Sequence, residues 1–246
     1  MIEDNPTCQL RTKDLYRKEK VFSKTKKKYF ERKVPIFEVN YRPKVKKIFR
    51  DIPEGAFQII MNEIVTNHRN ILMLAALSAF AGMRPSECCN VRREDSPLGP
   101  GIVFEVIDGE VTGITIDISE EKNLRSDLVN VGGIKKERKQ KVYPAFIEAF
   151  MSCYDMYMSY IENSPYEAEY GALTNTSTGK AYTYDSYYME FRKAVNDCIP
   201  IMLEDEDPQV VNYGHLLQEN RISPHILRHW FSVKLTLYGE DVAGLM

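Results

Sequence analysis

Two arginines and a histidine stand where an anion could be gripped. Arg84 lies in FAGMRPSECCNV, where Gly82 and Pro85 mark a break after an apolar stretch, so its guanidinium is held close to the core. A guanidinium in that position needs an anion. Glu87, three residues on, is one partner, which would make a structural ion pair. Arg228 lies in SPHILRHWFS, where Ser223-Pro224 reads as a helix start. His225 and Arg228 are then i and i+3 on one face, able to reach a single anionic group near the helix N-terminus. A phosphodiester suits this pair. Arginine donates two parallel hydrogen bonds to non-bridging oxygens, and histidine donates to an oxygen or shuttles a proton. The plainer alternative is a helix-start histidine satisfied locally. No HExxH, CxxC or Cys/His ligand spacing is present, so no metal or other cofactor is expected.

The elements that must position these groups are legible in the periodicity. Phe57, Ile60, Met61 and Ile64 recur at helical spacing after the Pro53-Glu54-Gly55 turn. The run from Ile71 to Gly82 is apolar on nearly every side, which predicts a helix inside the core. GIVFEVIDG and EVTGITIDIS alternate around Asp108-Gly109, the pattern of a tight β-hairpin, and IKKERKQKVYP adds a turn and a strand ending at Pro144. Helical spacing returns over Ala145 to Ile161 and Thr183 to Cys198, and again from Pro224 through Tyr238, with Gly239 as a stop. Trp230 and Phe231 are expected to pack inward. Residues 204–220, acidic and then polar, read as a loop. The predicted fold is α+β, mainly helical, with a small antiparallel sheet on one side.

With 246 residues, 43% of them hydrophobic and 28% charged, the chain is long enough for one large domain with a proper core. Its longest apolar run falls short of the roughly 20 residues needed to span a bilayer, and its first residues carry no secretion-signal pattern. A cytoplasmic protein without membrane contact is expected. The five scattered cysteines read as reduced, mostly buried thiols. The formal net charge of −2 hides an asymmetry, because residues 1–50 hold 16 Lys+Arg against 6 Asp+Glu. Lys26, Lys27 and Lys28 lie in that stretch among Tyr and Phe, a composition that tracks a phosphate backbone, or else forms a solvated tail.

AFAGMRPSE resembles the first arginine box of the tyrosine recombinases (phage integrase family), and SPHILRHWFS resembles their second, H-x-L-R-H followed by apolar residues. The β-hairpin and the segment ALTNTSTGKAYTYDSYYMEFRKAV between them are also similar to the family pattern, so the likeness runs from about Ile52 onward. The resemblance implies a site-specific enzyme that cleaves and rejoins DNA through a 3′-phosphotyrosyl link, with a double-stranded attachment site as partner and neither metal nor cofactor. It implies that Arg84 and Arg228 clamp the scissile phosphate, that His225 assists them, and that Lys136 protonates the departing 5′ oxygen. Lys135 is next in line for that role, and Lys139 is a further DNA contact. All four principal groups are expected in one basic cleft.

The resemblance further divides the chain into a basic interdomain linker, 1–50, and a catalytic domain, 51–246, that stops before the family's nucleophilic tyrosine. Such a fragment is expected to be inactive and monomeric, and the full-length protein to form a homotetramer on DNA as a nucleoid-associated protein of bacterial or phage origin. Tyr238 lies too close to Arg228 to match the nucleophile. Rival readings are a non-catalytic DNA-binding regulator of the same fold, a type IB topoisomerase, and a structural protein whose arginines merely pair with carboxylates.

Overall fold

Apolar side chains at helical spacing account for the centre of the molecule. In the computed structural model, which describes residues 15–23, 28–36, 51–164 and 168–238, helix α1 (Glu54–Asn67) buries Phe57, Ile60, Met61 and Ile64 on one face. Helix α2 (Leu72–Phe80) follows and is buried along its whole length. Its one hydroxyl, on Ser78, is satisfied by Cys88 Sγ at 3.4 Å. Stripping water from a single leucine of such a helix is worth about 1.5–3 kcal/mol, so α2 is the natural nucleus for the elements packed on it. The short helix α3 (Pro85–Cys88) leaves α2 through a turn at Gly82, whose φ of +62° suits glycine.

A three-stranded antiparallel sheet, ordered β3 (Ile102–Ile107), β4 (Glu110–Ile118) and β5 (Arg138–Lys141), lies beside the helices. Asp108 and Gly109 both take positive φ in the β3–β4 turn, as two-residue hairpins require. Ile102, Ile114, Ile116 and Ile118 are buried, and Phe104 meets Tyr154 of helix α4 (Ile147–Glu162) edge-on at 5.1 Å. Helix α5 (Tyr184–Leu203) is capped by the Thr183 hydroxyl, which accepts from the Ser186 N–H. Helix α7 (His225–Leu237) closes the core with Trp230 and Phe231, both buried. The mainly helical α+β class expected from the sequence is the one observed.

Residues 204–220 correct the sequence reading. Pro208–Glu219 form helix α6, with Val210, Tyr213, Gly214 and Leu217 buried on one face. Asp207 caps it by accepting from the Gln209 N–H at 2.8 Å, and Pro208 occupies the first turn. The polar composition concealed a heptad-like spacing of only a few apolar side chains. Replacing Asp207 with alanine is expected to cost about 0.5–2 kcal/mol, seen as a fall of a few degrees in melting temperature. An unchanged melting curve would mean that α6 does not depend on this cap.

The chain divides into two compact units, Met1–Lys47 and Ile48–Met246. In the first, where the sequence reading assigned no strand, β1 (Tyr16–Ser23) and β2 (Lys28–Pro35) pair antiparallel. Tyr16, Lys18, Lys20 and Phe22 on β1 share one face with Tyr29, Glu31 and Lys33 on β2, and all seven are exposed. Lys28 opens β2 and is exposed, whereas Lys26 and Lys27 lie outside the described residues. In the second unit Cys88, Cys89, Cys153 and Cys198 are free and buried. Burial pushes the Cys88 thiol up to about 12, which keeps it protonated and inert at neutral pH. Cys8 lies outside the described residues. Among the described residues, no helix is long and apolar enough to cross a membrane.

Candidate active site

Glu87 is the fixed point of the site. Its side chain is fully buried at the third position of α3, and a buried carboxylate needs charged partners. Arg84 supplies two contacts, from Nη1 to Oε1 at 3.1 Å and from its backbone N–H to Oε2 at 3.3 Å. Arg138, the first residue of β5, supplies another from Nη2 to Oε2 at 2.9 Å. Burial works to raise the Glu87 carboxyl, but the hydrogen bonds and charges of Arg138 and Arg84 outweigh it and hold it below the usual carboxylate range. The carboxylate is therefore ionised at neutral pH.

Arg228 joins this group from α7. Its Nη1 donates to the Gly82 carbonyl at the end of α2, across 146 positions of sequence. The turn is shaped for the approach, since a Cβ on Gly82 would lie 2.3 Å from the Phe231 ring on α7. Aromatic packing sets the rest of the helix: Trp230 stacks on Phe57 of α1 at 3.7 Å and meets Phe80 of α2 edge-on, and Phe146 touches both Trp230 and Phe231. Burial lowers the Arg228 pKa, and the Arg84 and Arg138 charges lower it further, with Glu87 opposing them. A guanidinium stays protonated in spite of this. Three positive charges thus surround one negative charge, and among the described residues Arg228 has no carboxylate partner.

The other residues singled out from the sequence lie at the start of α7 and on or just ahead of β5. His225 lies at the start of α7, one turn before Arg228, partly exposed and edge-on to His229 at 4.9 Å. Lys135 and Lys136 occupy an exposed bend just ahead of β5. The Lys136 carbonyl accepts from Arg138 Nη1 at 2.8 Å, which ties the bend to Glu87 through a single side chain. Lys139 is placed differently. It pairs in register with Asp117 and lies 3.8 Å from that carboxylate on the exposed face, while Arg138 and Gln140 turn to the opposite, more buried face. Sequence reasoning missed Arg138 for this reason. The alternation of β5 carried the signal, because Arg138 and Gln140 share a face that the lysines do not.

A second grouping of donor side chains lies elsewhere. Glu63 and His68 at the end of α1 meet Asp197 of α5, with one ligand atom from each within 4.8 Å of the others. These are residue types that can hold a cation. In the structure described, His68 Nε2 lies within hydrogen-bond reach of Asp197 Oδ2, at 3.0 Å, and 3.7 Å from Glu63 Oε1.

No family model and no curated protein matches the chain. Among solved structures it is similar to XerA recombinase, at 14% identity and a TM-score of 0.48 over 78% of this chain and 52% of that one. It is similar to XerH site-specific recombinase bound to its difH substrate in a pre-cleavage complex, at 18% identity and a TM-score of 0.47 over 81% of this chain and 46% of that one. It is also similar to the Tn1549 transposon integrase in complex with circular intermediate DNA, at 16% identity and a TM-score of 0.47 over 79% and 54% respectively. The chain spans about half the length of these structures.

Proposed function

We propose that this chain carries the phosphate-gripping part of a site-specific DNA recombinase or integrase of the tyrosine type. The observation that supports the reading most is the surplus of guanidinium groups: Arg84, Arg138 and Arg228 around the single carboxylate of Glu87. A structural ion pair would balance its charges. Here the imbalance favours an additional anion, and a phosphodiester with two non-bridging oxygens fits two forked donors. In this reading Arg84 and Arg228 hold those oxygens and stabilise the charge that builds on them as the phosphorus becomes five-coordinate. His225 donates to the same group or takes the nucleophile's proton, and Lys136 gives a proton to the departing 5′ oxygen. The attacking tyrosine, which would form the 3′-phosphotyrosyl link, is assigned outside residues 51–238. Double-stranded DNA is the partner, with four subunits assembled on it. A cytoplasmic, nucleoid-associated site follows from that partner.

The experiment is a cleavage assay of the full-length gene product on nicked DNA carrying its attachment site. A covalent protein–DNA adduct that depends on Arg228 supports the recombinase. Sequence-specific binding without an adduct moves the assignment to the non-catalytic regulator.

The β1–β2 hairpin belongs to the same proposal as a further DNA contact, because Lys18, Lys20 and Lys33 share an exposed face with Tyr16, Phe22 and Tyr29. Each lysine that neutralises a phosphate releases counterions, so the slope of log K against log salt should flatten by up to about 0.9 for each lysine changed to alanine. Titrations at several salt concentrations read this directly. An unchanged slope in the triple variant would remove the hairpin from the DNA-binding surface.

A further inference from the structure

Arg138 has three acceptors in three directions. Its Nε donates to Gln140 Oε1 at 2.8 Å, its Nη1 to the Lys136 carbonyl at 2.8 Å, and its Nη2 to Glu87 Oε2 at 2.9 Å. A guanidinium is a rigid plane, so these contacts fix their partners relative to one another. Gln140, two residues on and on the same face of β5, sets the tilt of the plane. The other two partners belong to the bend that carries Lys136 and to the carboxylate that carries Arg84.

The same bend is held from its other side by Ser86 of α3 and by Asn90, two residues past the end of that helix. Ser86 Oγ donates to the Gly133 carbonyl at 3.1 Å, and Asn90 Nδ2 donates to the Gly132 carbonyl at 2.6 Å. Contact is tight enough that a Cβ on Gly132 would fall 2.5 Å from the Ser86 carbonyl oxygen. The residues from Ile134 to Glu137 therefore run between two anchors, one at Gly132-Gly133 and one at Arg138. Both anchors converge on the helix that follows Arg84.

We propose that Arg138 is a positioning residue that locks the Lys136 bend to the Arg84–Glu87 pair, so that the lysine ammonium is delivered to the phosphate the arginines hold. The inference rests on the phosphate-binding reading of the site. Arg138 acts through its neighbours. Three of its donors are engaged within the protein, and its side chain is 19% exposed against 30% for Arg84. Lysine cannot replace it, because a single ammonium on a flexible stem cannot hold a carboxylate, an amide oxygen and a carbonyl in one plane.

The test is DNA protection of Lys136 from an amine-acetylating reagent, read residue by residue by mass spectrometry. It uses the full chain with a short mixed-sequence duplex at low salt, in the wild type, Arg138→Ala, Arg138→Lys and Arg228→Ala. In the wild type, DNA should protect Lys136, and Arg228→Ala should weaken that protection. Arg138→Ala should lose about tenfold of the protection at Lys136, the scale of one charge-assisted hydrogen bond, while DNA affinity stays within about threefold because phosphate contacts elsewhere carry it. Arg138→Lys should not restore protection. If Arg138→Ala melts before the assay temperature, Arg138→Gln replaces it, since the neutral amide reaches Glu87 or the Lys136 carbonyl but not both.

Protection of Lys136 in the Arg138 variants equal to wild type would overturn the inference. So would a fall in DNA affinity well beyond about threefold, which would make Arg138 a phosphate contact in its own right. Absence of protection at Lys136 even in the wild-type complex with DNA would be a different failure. It would remove the phosphate-binding reading and the positioning role with it.

Discussion

Changing Arg228 to alanine should lower the rate of covalent adduct formation by the full-length gene product by about 100- to 1,000-fold, the loss expected when one preorganised donor to a developing oxyanion is removed. Affinity for DNA should change far less. One phosphate contact among many adds little to equilibrium binding, while the charge that grows on the non-bridging oxygens is felt in the rate. Arg228→Lys should recover little. The arginine holds the Gly82 carbonyl with one nitrogen while others remain for a ligand, a division that one ammonium cannot reproduce. Initial adduct rates and filter-binding constants on the same nicked DNA would measure both effects. If Arg228→Ala cleaved within a few-fold of wild type, Arg228 would not be a clamp for the scissile phosphate.

Removing the charge of Glu87 should be the most costly change in the described core. Glu87→Ala leaves Arg84 and Arg138 half-buried without their counter-ion, and breaking a buried pair from one side costs about 3–5 kcal/mol. Urea unfolding at neutral pH reads this as a lower midpoint. The carboxylate also has a signature in acid. Because its folded pKa lies below the unfolded value of about 4.3, its contribution is fully present above that value and is lost as pH falls through the lower, folded one. Wild type should therefore lose stability in that window more steeply than Glu87→Gln. Equal acid slopes would mean that Glu87 is not ionised in the folded protein.

How far the sequence carried the structure depended on how plainly each element displayed its period. α2 was legible because every position is apolar, and the β3–β4 hairpin because Asp108-Gly109 names its turn. α6 was hidden because its buried residues are few and follow an acidic lead, although Asp207-Pro208 marked its start. The β1–β2 hairpin was hidden because lysines and aromatics alternate without an apolar face to betray the strands. At the site, Arg84 and Arg228 were singled out through motifs whose spacing is local. Arg138 was not, since its importance lies in a partner 51 positions away, and the alternation of β5 that turns it to the more buried face does not name that partner. Lys139 was selected for its charge and turns out to point across the sheet, a matter of one residue of alternation.

The tether between Arg228 and Gly82 makes the site a linkage rather than a set of separate arms. Gly82 presents its carbonyl to α7, has the Phe231 ring in the space a side chain would fill, and stands two residues before Arg84. A rotation of α7 that moves Phe231 must therefore carry the α2–α3 turn with it or break the tether, and the turn carries Arg84. Through Glu87 and Arg138 the same displacement reaches the Lys136 bend. Groups that come from three parts of the chain are geared together, so that the site should engage or disengage as one body and pass few partly assembled states.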